Sequence, residues 1–506
     1  MSRFVAFLLL VLAACTADRP TEGAGLLIRG ARLADGTGGP LRDADVRVVD
    51  GLVAEVGAAG SLEPSPGDSV LDASGLVLAP GFVDTHSHHD RGLADDPSAR
   101  EAVSQGITTI VAGQDGGSPS PLSDFFAGLE AAPAALNVAS YVGHNTLRHQ
   151  VLGEDYRRPA DADEVAAMVA LLGAEMEAGA LGLSTGLEYD PGIYSTTDEV
   201  LALARVTADR GGRYISHMRS EDRAFEAALD ELLHIGQVTG MPVQVSHMKL
   251  AMKSLWGRAG EALARMDSAR ARGVDVTADV YPYPYWQSSM TVLLPERDFT
   301  DRAAFAFALD ELVPPEGFLV AAFAPDPSYV GLRLDSIARL RGTDPVSAYM
   351  ALVAEAEAWQ GDGRAEGMIG TSMAEEDIET LLQWPHTNIA SDGGLADRHP
   401  RGAGTYPRVL GRYVRERGVL DLAEAVHKMT GLAAAHVGIR DRGTVAPGQA
   451  ADLVLFDPET VADRATPDDP TALAVGIHRV WVNGVEVWRD GQATGARPGR
   501  VLRRAS

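Results

Sequence analysis

Cysteine is almost missing from this chain. Cys15 is the only one in 506 residues, so no intramolecular disulfide can form and the folded part must rest on its core. Positive charge is also in short supply: 44 Lys and Arg stand against 70 Asp and Glu, a formal net charge of −26. Such a field repels phosphate backbones and anionic lipid, which argues against a nucleic-acid partner. Long apolar runs are missing too. The longest candidate, Phe4–Ala14, falls well short of the roughly 20 residues that span a bilayer as a helix. No internal repeat or low-complexity tract occurs. What remains, 45% apolar residues over this length, suits a soluble globular protein of two or three units with a large core.

At the N-terminus, Arg3 precedes the apolar run in the manner of an export signal. The run ends "LAAC", and a cysteine at that place resembles the lipobox of bacterial lipoproteins. The resemblance implies lipidation at Cys15, an exported protein that is membrane-anchored or periplasmic, and a tether over Thr16–Gly25. An ordinary secretion signal with an incidental Cys15 is the alternative.

Two hairpin signals sit near the ends. "VRVVDGLVAEVG" (Val46–Gly57) alternates around Asp50–Gly51, and "HRVWVNGVEVWRDG" alternates around Asn483–Gly484. Gly443–Asp457 is also strand-like. The expected organisation is a leader and tether over 1–25, a small composite β-sandwich domain from 26–78 and 440–506, and a middle unit over 79–439. In that middle, short apolar or β-branched runs recur at Val77–Thr85, Ile107–Ala112, Leu136–Val142, Leu181–Thr185, Tyr214–Ser216, Val243–Ser246, Val274–Val280 and Asn388–Ser391. Helical patterns lie between most of them, such as Asp163–Gly179 and Thr196–Gly212, the second with Thr197 to cap it and Gly211 to stop it. Eight strands alternating with helices predict an α/β fold, a (β/α)8 TIM barrel. Leu293–Glu357 breaks the rhythm as an insertion.

In such a barrel chemistry gathers at the C-terminal strand ends. His86 and His88 of "GFVDTHSHHD" end the first strand, and the two-residue period aims both one way while His89 points elsewhere. His217 ends the fifth strand, His247 the sixth and Asp392 the eighth. Any one histidine is more simply a core or surface residue. Four imidazoles and a carboxylate converging on one mouth make a divalent metal site of the zinc type. By the same alternation Arg219 lies two beyond His217 and Lys249 two beyond His247, a pair of cations suited to an anionic substrate.

The stretches "APGFVDTHSHHD", "YVGHNTLR", "GALGLSTGLEYDPGIYS", "YISHMRSE", "VQVSHMKL" and "SDGGLADRHPRGAGTYPRVLGRYVRE" make the chain recognisable from Leu26 onward. It resembles the amidohydrolase superfamily and, within it, the N-acyl-D-amino-acid deacylases (D-aminoacylases). One departure matters. That family usually carries a metal-binding cysteine in the turn after the second strand, and here "GQDGGS" puts Asp115 in its place. A carboxylate is harder than sulfur and weakens the preference for zinc over manganese or cobalt. Asp115 could instead cap its own turn. No lysine follows strand four to bridge two metals, and Glu188 is the spare carboxylate there, so one or two ions, and a bridge by Asp115 or Glu188, stay open. Tyr281 and Tyr189 are substrate hydroxyls by resemblance. His144 of "VGHN" either polarises the substrate carbonyl or buttresses the site.

The resemblance implies metal-dependent hydrolysis of the linear amide of an N-acyl-D-amino acid. The ion is held by His86, His88, Asp115, His217 and His247, Asp392 shuttles the proton, and Arg219, Lys249 and Tyr281 hold the carboxylate. The alternatives are a dipeptidase or cyclic amidase of the isoaspartyl dipeptidase or dihydroorotase kind, and a non-catalytic surface lipoprotein that only binds a ligand.

Overall fold

The computed structural model describes residues 25–361, 365–395 and 397–504. Cys15 and the leader lie outside them. Both β-rich ends enter one nine-stranded sheet. The N-terminal part supplies Leu26–Leu33, Arg42–Val49, Leu52–Ala58, Ser69–Asp72 and Val77–Pro80, and the C-terminal part Leu453–Phe456, Ile477–Val482, Val485–Arg489 and Gln492–Ala493. The seam between them is antiparallel, with Leu78 opposite Leu455. Both hairpin turns take two residues with positive φ, Asp50 and Gly51 (52° and 79°), then Asn483 and Gly484 (49° and 78°). Asp, Asn and Gly tolerate that geometry, which matches the twist of the flanking strands. Ile28, Val46, Val53, Leu78, Leu455 and Trp481 are buried together on this sheet.

The middle of the chain forms parallel strands. Phe82–Asp84, Ile107–Ala112 and Asn137–Ser140 make one sheet, and Val142–Gly143, Gly182–Gly186, Arg213–His217, Val243–Val245, Val276–Val280 and Thr387–Ile389 the other. Tyr141 alone separates the third strand of the first sheet from the first strand of the second. At the opposite side Asn388 Nδ2 donates to Thr85 Oγ1 (2.6 Å), the Ser391 amide to Asp84 (2.8 Å) and the Asp392 amide to the His86 carbonyl (2.8 Å). The run expected as one first strand, Val77–Thr85, divides at Gly81 between the terminal sheet and the parallel set. A Cβ there would lie 2.2 Å from Thr108 Cγ2, so only glycine lets the chain pass at this point.

Helices cover the parallel strands. Ala162–Glu177 starts at a capping box of Asp161 and Glu164, and buries Met168, Leu172 and Met176. Thr197–Asp209 is capped by Thr196 rather than Thr197: the extended Thr196 accepts from the Glu199 amide at 3.2 Å, while the Thr197 hydroxyl donates to Glu231. Gly211, at φ 68°, follows its end as expected. The excursion read as 293–357 is larger. Tyr285–Ser288 and Phe318–Phe323 both pair with Glu366–Thr371 in a three-stranded antiparallel sheet, so strands from both sides of that segment complete it. Among the described residues no helix is long and apolar enough to cross a membrane.

Candidate metal centre

Residues far apart in sequence meet at the C-terminal ends of the parallel strands. Three of them hold left-handed backbone although none is glycine: Asp115 (φ 54°), His247 (φ 33°) and Asp392 (φ 50°). Each such residue costs about 1–3 kcal/mol, and the surrounding fold must hold it there. Their clustering re-aims side chains that a regular strand would send elsewhere.

Three ligand groups result among the described residues, and the first two share one residue. His86, His88, Asp115 and Asp392 form the first, and Asp115, His217 and His247 the second. The shared carboxylate reaches both ways. Its Oδ1 lies 3.3 Å from His86 Nε2 and 3.2 Å from His247 Nε2, and its Oδ2 lies 3.3 Å from His88 Nε2. Asp392 Oδ1 is 3.5 Å from His86 Nε2 and 3.3 Å from His88 Nε2. His217 Nδ1 and His247 Nε2 face each other at 3.0 Å. Neither ring nitrogen of the fully buried His86 makes a hydrogen bond among the described residues, although carboxylates stand 3.3 and 3.8 Å away. Buried nitrogen lone pairs left for a shared centre, with no thiolate present, fit one or two divalent ions held by nitrogen and oxygen.

The outer nitrogens of these rings find carboxylates, which the sequence reading missed except for Glu188. His217 Nε2 lies 2.9 Å from Glu188 Oε2, His247 Nδ1 lies 3.1 Å from Glu221 Oε1, and His86 Nδ1 lies 3.8 Å from Asp279. A carboxylate behind a ligating histidine fixes its ring and raises its basicity. Of the two candidates for a bridge, Asp115 therefore stands between the groups. Glu188 sits on the far nitrogen of His217 and groups with Glu221 instead.

The expected cations divide. Lys249 stays at the site, its Nζ 2.7 Å from Glu221 and 2.7 Å from His247 Nδ1. Arg219 turns away: it pairs in bidentate fashion with Glu231 (2.9 Å twice) and donates to the Ser195 carbonyl (3.0 Å). The strand stops at His217, so strict alternation no longer governs two residues on. Arg401, which the sequence reading passed over, stands at the site instead. Its Nη1 is 2.5 Å from Asp392 Oδ2, and its guanidinium lies 4.8 Å from the centre of the Tyr281 ring. Tyr189 packs its ring 4.2 Å from that of His217. His144 is absorbed into a buried ionic cluster, with Nε2 2.8 Å from Glu199, which Arg148 also binds. It lines neither cavity described next.

An open cavity of about 540 Å³ reaches His88, Asp115, Asp392 and Arg401 past Tyr189 and Arg297. Beside it a recess of about 30 Å³ is walled by His247, Lys249, Tyr281, Trp286, Asp392 and Arg401.

Residues 69–314 and 327–488 match the amidohydrolase family. The chain belongs to that family. The N-acyl-D-glutamate deacylase of Alcaligenes xylosoxydans xylosoxydans is 40% identical to it over 507 residues, spanning 96% of this chain and 97% of the relative. The crystal structure of N-acyl-D-glutamate deacylase from Bordetella bronchiseptica, complexed with zinc and a phosphonate mimic of the tetrahedral intermediate, is 39% identical. It superposes with a TM-score of 0.84, covering 95% of this chain and 100% of that one. A D-aminoacylase structure that addresses its binuclear metal center is 38% identical at a TM-score of 0.83, over 95% and 99% of the two chains.

Electrostatics in this amidohydrolase separate the ligands. Burial holds the His217 ring at about 4, so it is neutral and free to ligate at pH 7. Burial and Lys249 also favour a neutral His247, but Asp115, Glu221 and Asp392 outweigh them and lift it to about 9. Burial works against the charge of Asp392, yet Arg401, then His247 and His86, hold its carboxyl far below the usual range. Burial, reinforced by Glu221 and Asp222, pushes Glu188 well up.

Proposed function

We propose that this amidohydrolase cleaves the linear amide of N-acyl-D-amino acids, releasing a carboxylate and a D-amino acid. One observation carries the reading: the paired ligand groups open directly onto a recess the size of a carboxylate, walled by Lys249, Arg401 and Tyr281. The likeness to N-acyl-D-glutamate deacylase and D-aminoacylase over nearly the whole chain supports it. The frame is read as a closed (β/α)8 barrel over 79–439, supported by the hydrogen bonds from Asn388, Ser391 and Asp392 to the first parallel strand. The terminal sheet is read as a composite β-sandwich domain of 26–78 and 440–506.

His86, His88, Asp115 and Asp392 would hold one divalent ion, zinc in the first place, and Asp115, His217 and His247 a second. When bound, such an ion polarises the scissile carbonyl and acidifies a water molecule. The side chains do the rest. Arg401, Lys249 and Tyr281 hold the α-carboxylate and so place the amide within reach of Asp392. Asp392 accepts the proton of the attacking water and returns it to the departing amine. Arg401 beside it keeps Asp392 ionised, and hence able to accept a proton, at neutral pH. His144 is a buttress, tied to Glu199 and Arg148 behind the site.

The leader is read as a lipoprotein signal with Cys15 as the acylated residue, which makes the enzyme an exported protein tethered at a membrane.

The test is a panel of N-acetyl-D- and N-acetyl-L-amino acids, with an isoaspartyl dipeptide, a hydantoin and dihydroorotate, on metal-reconstituted protein. Release of D-amino acids alone is the expected result. Turnover confined to the dipeptide or to the cyclic amides, or no turnover at all, would overturn the reading.

A further inference from the structure

We propose that His399 is a positioning residue: its Nδ1 accepts the backbone N–H of Arg401 and so sets that side chain, and with it the carboxylate recess. The inference rests on the reading of Arg401 as the holder of the substrate's α-carboxylate.

His399 is 1% exposed, and both of its ring nitrogens are in use. Nδ1 accepts the backbone N–H of Arg401 at 3.0 Å, and Nε2 donates to the Tyr285 carbonyl at 2.8 Å. These partners require the neutral ring with its proton on Nε2. Protonation would place an N–H against the Arg401 N–H, and burial together with the nearby Arg401 charge disfavours it. The helix Arg401–Arg408 opens at Pro400, which offers no side-chain acceptor for the first amides. His399 fills that gap, accepting from the amide two residues ahead as an Asx turn does.

The two anchors lie on different walls of the site. Arg401 carries the guanidinium that meets Asp392 and stacks over Tyr281. Tyr285 opens the strand whose residues Trp286, Gln287 and Ser288 line the recess. Between them the His399 ring packs against Tyr281, Tyr283 and Tyr285 at 6.0, 5.3 and 4.9 Å. A side chain needed only to fill this space would be aromatic and apolar. Here Nε2 holds the ring to the strand in one orientation while Nδ1 takes the Arg401 N–H, so this local cap fixes where Arg401 can place its charge. His399 touches no reacting atom itself.

The two bonds can be cut separately. Asparagine sets its carbonyl oxygen where Nδ1 lies and keeps the acceptor for the Arg401 amide. Glutamine reaches the Tyr285 carbonyl with its amide nitrogen but has nothing at the Nδ1 position. The measurement is kcat and KM for an N-acetyl-D-amino acid and for the matching N-acetyl amine, which lacks the carboxylate. Each metal-replete variant is checked for metal content and thermal unfolding. His399→Gln and His399→Ala should raise KM for the acid about tenfold or more with kcat changed under threefold. The preference for acid over amine should fall by the same factor. His399→Asn should keep both within about threefold of wild type. The Asn and Gln pair decides the matter even if the alanine variant fails to fold. A wild type that discriminates, with Asn no better than Gln or with acid and amine losing kcat/KM equally, would overturn the inference alone. A wild type that cleaves neither compound would strike the hydrolase reading first, and the inference with it.

Discussion

Replacing Asp392 with asparagine separates proton transfer from metal binding. The carboxylate is 4% exposed, with Oδ1 turned to His86 and His88 and Oδ2 2.5 Å from Arg401 Nη1. The amide keeps the volume and one oxygen that can still face the two histidines. It cannot accept a proton at neutral pH, and its NH2 meets the donors of Arg401. Losing a positioned acid–base group costs about 10²–10⁴ in rate, or roughly 2.7–5.5 kcal/mol of barrier at 1.36 kcal/mol per decade. Arg401 is left as a buried charge without its partner, which costs about 3–5 kcal/mol of stability. The expected result is a metal-replete protein with kcat down by that factor and a lower unfolding midpoint in urea. Saturation kinetics, elemental analysis and a denaturant titration measure the three quantities. Metal loss in step with rate would make Asp392 chiefly a ligand. A metal-replete variant within threefold of the wild-type kcat would refute the proton-transfer role outright.

Arg401→Met should raise KM for carboxylate substrates about 10–100-fold, the loss of a charged hydrogen bond of roughly 1.5–3 kcal/mol. Its pH profile carries a second signature. Arg401 holds the Asp392 carboxyl down, and activity is present above that pKa and lost below it, so removing the charge should move the acid limb to higher pH. Arg219→Met should leave KM within threefold, since its partner Glu231 lies outside the site, while stranding that nearly buried carboxylate costs about 1.5–3 kcal/mol of stability; a tenfold rise in KM would return Arg219 to the recess. Chelation should abolish activity reversibly, and Asp115→Ala should lose more metal than Glu188→Gln; equal metal content by mass spectrometry would remove Asp115 from its bridging place. Cys15→Ala should leave the precursor unlipidated and out of the membrane fraction, and a mature wild type that is soluble and begins elsewhere would refute the anchor.

The sequence by itself determined which residues converge at the strand ends. His86, His88, His217, His247 and Asp392 sit at the ends of short apolar runs, and Asp115 in the turn after another. In a parallel sheet covered by helices the strand ends share one face. That inference needs only local periodicity and a count of strands, both carried by neighbouring residues. The two terminal hairpins were legible for the same reason, because Asp–Gly and Asn–Gly adopt the turn wherever they occur. What lies one step outside regular structure was decided by tertiary neighbours. Arg219 leaves the site because the strand ends at His217 and Glu231 on the next helix is there to bind it. Arg401 enters from a helix nine residues past Asp392, where no two-residue period reports its direction. Glu221 looks like an ordinary acid in sequence, and becomes a ring anchor only when neighbouring strand ends bring it behind His247. Val77–Thr85 reads as one apolar run, and Thr108 pressed against Gly81 marks where it changes sheets. Periodicity is a property of adjacent residues, whereas the partner of a charge is chosen by whatever the fold brings within about 3 Å of it.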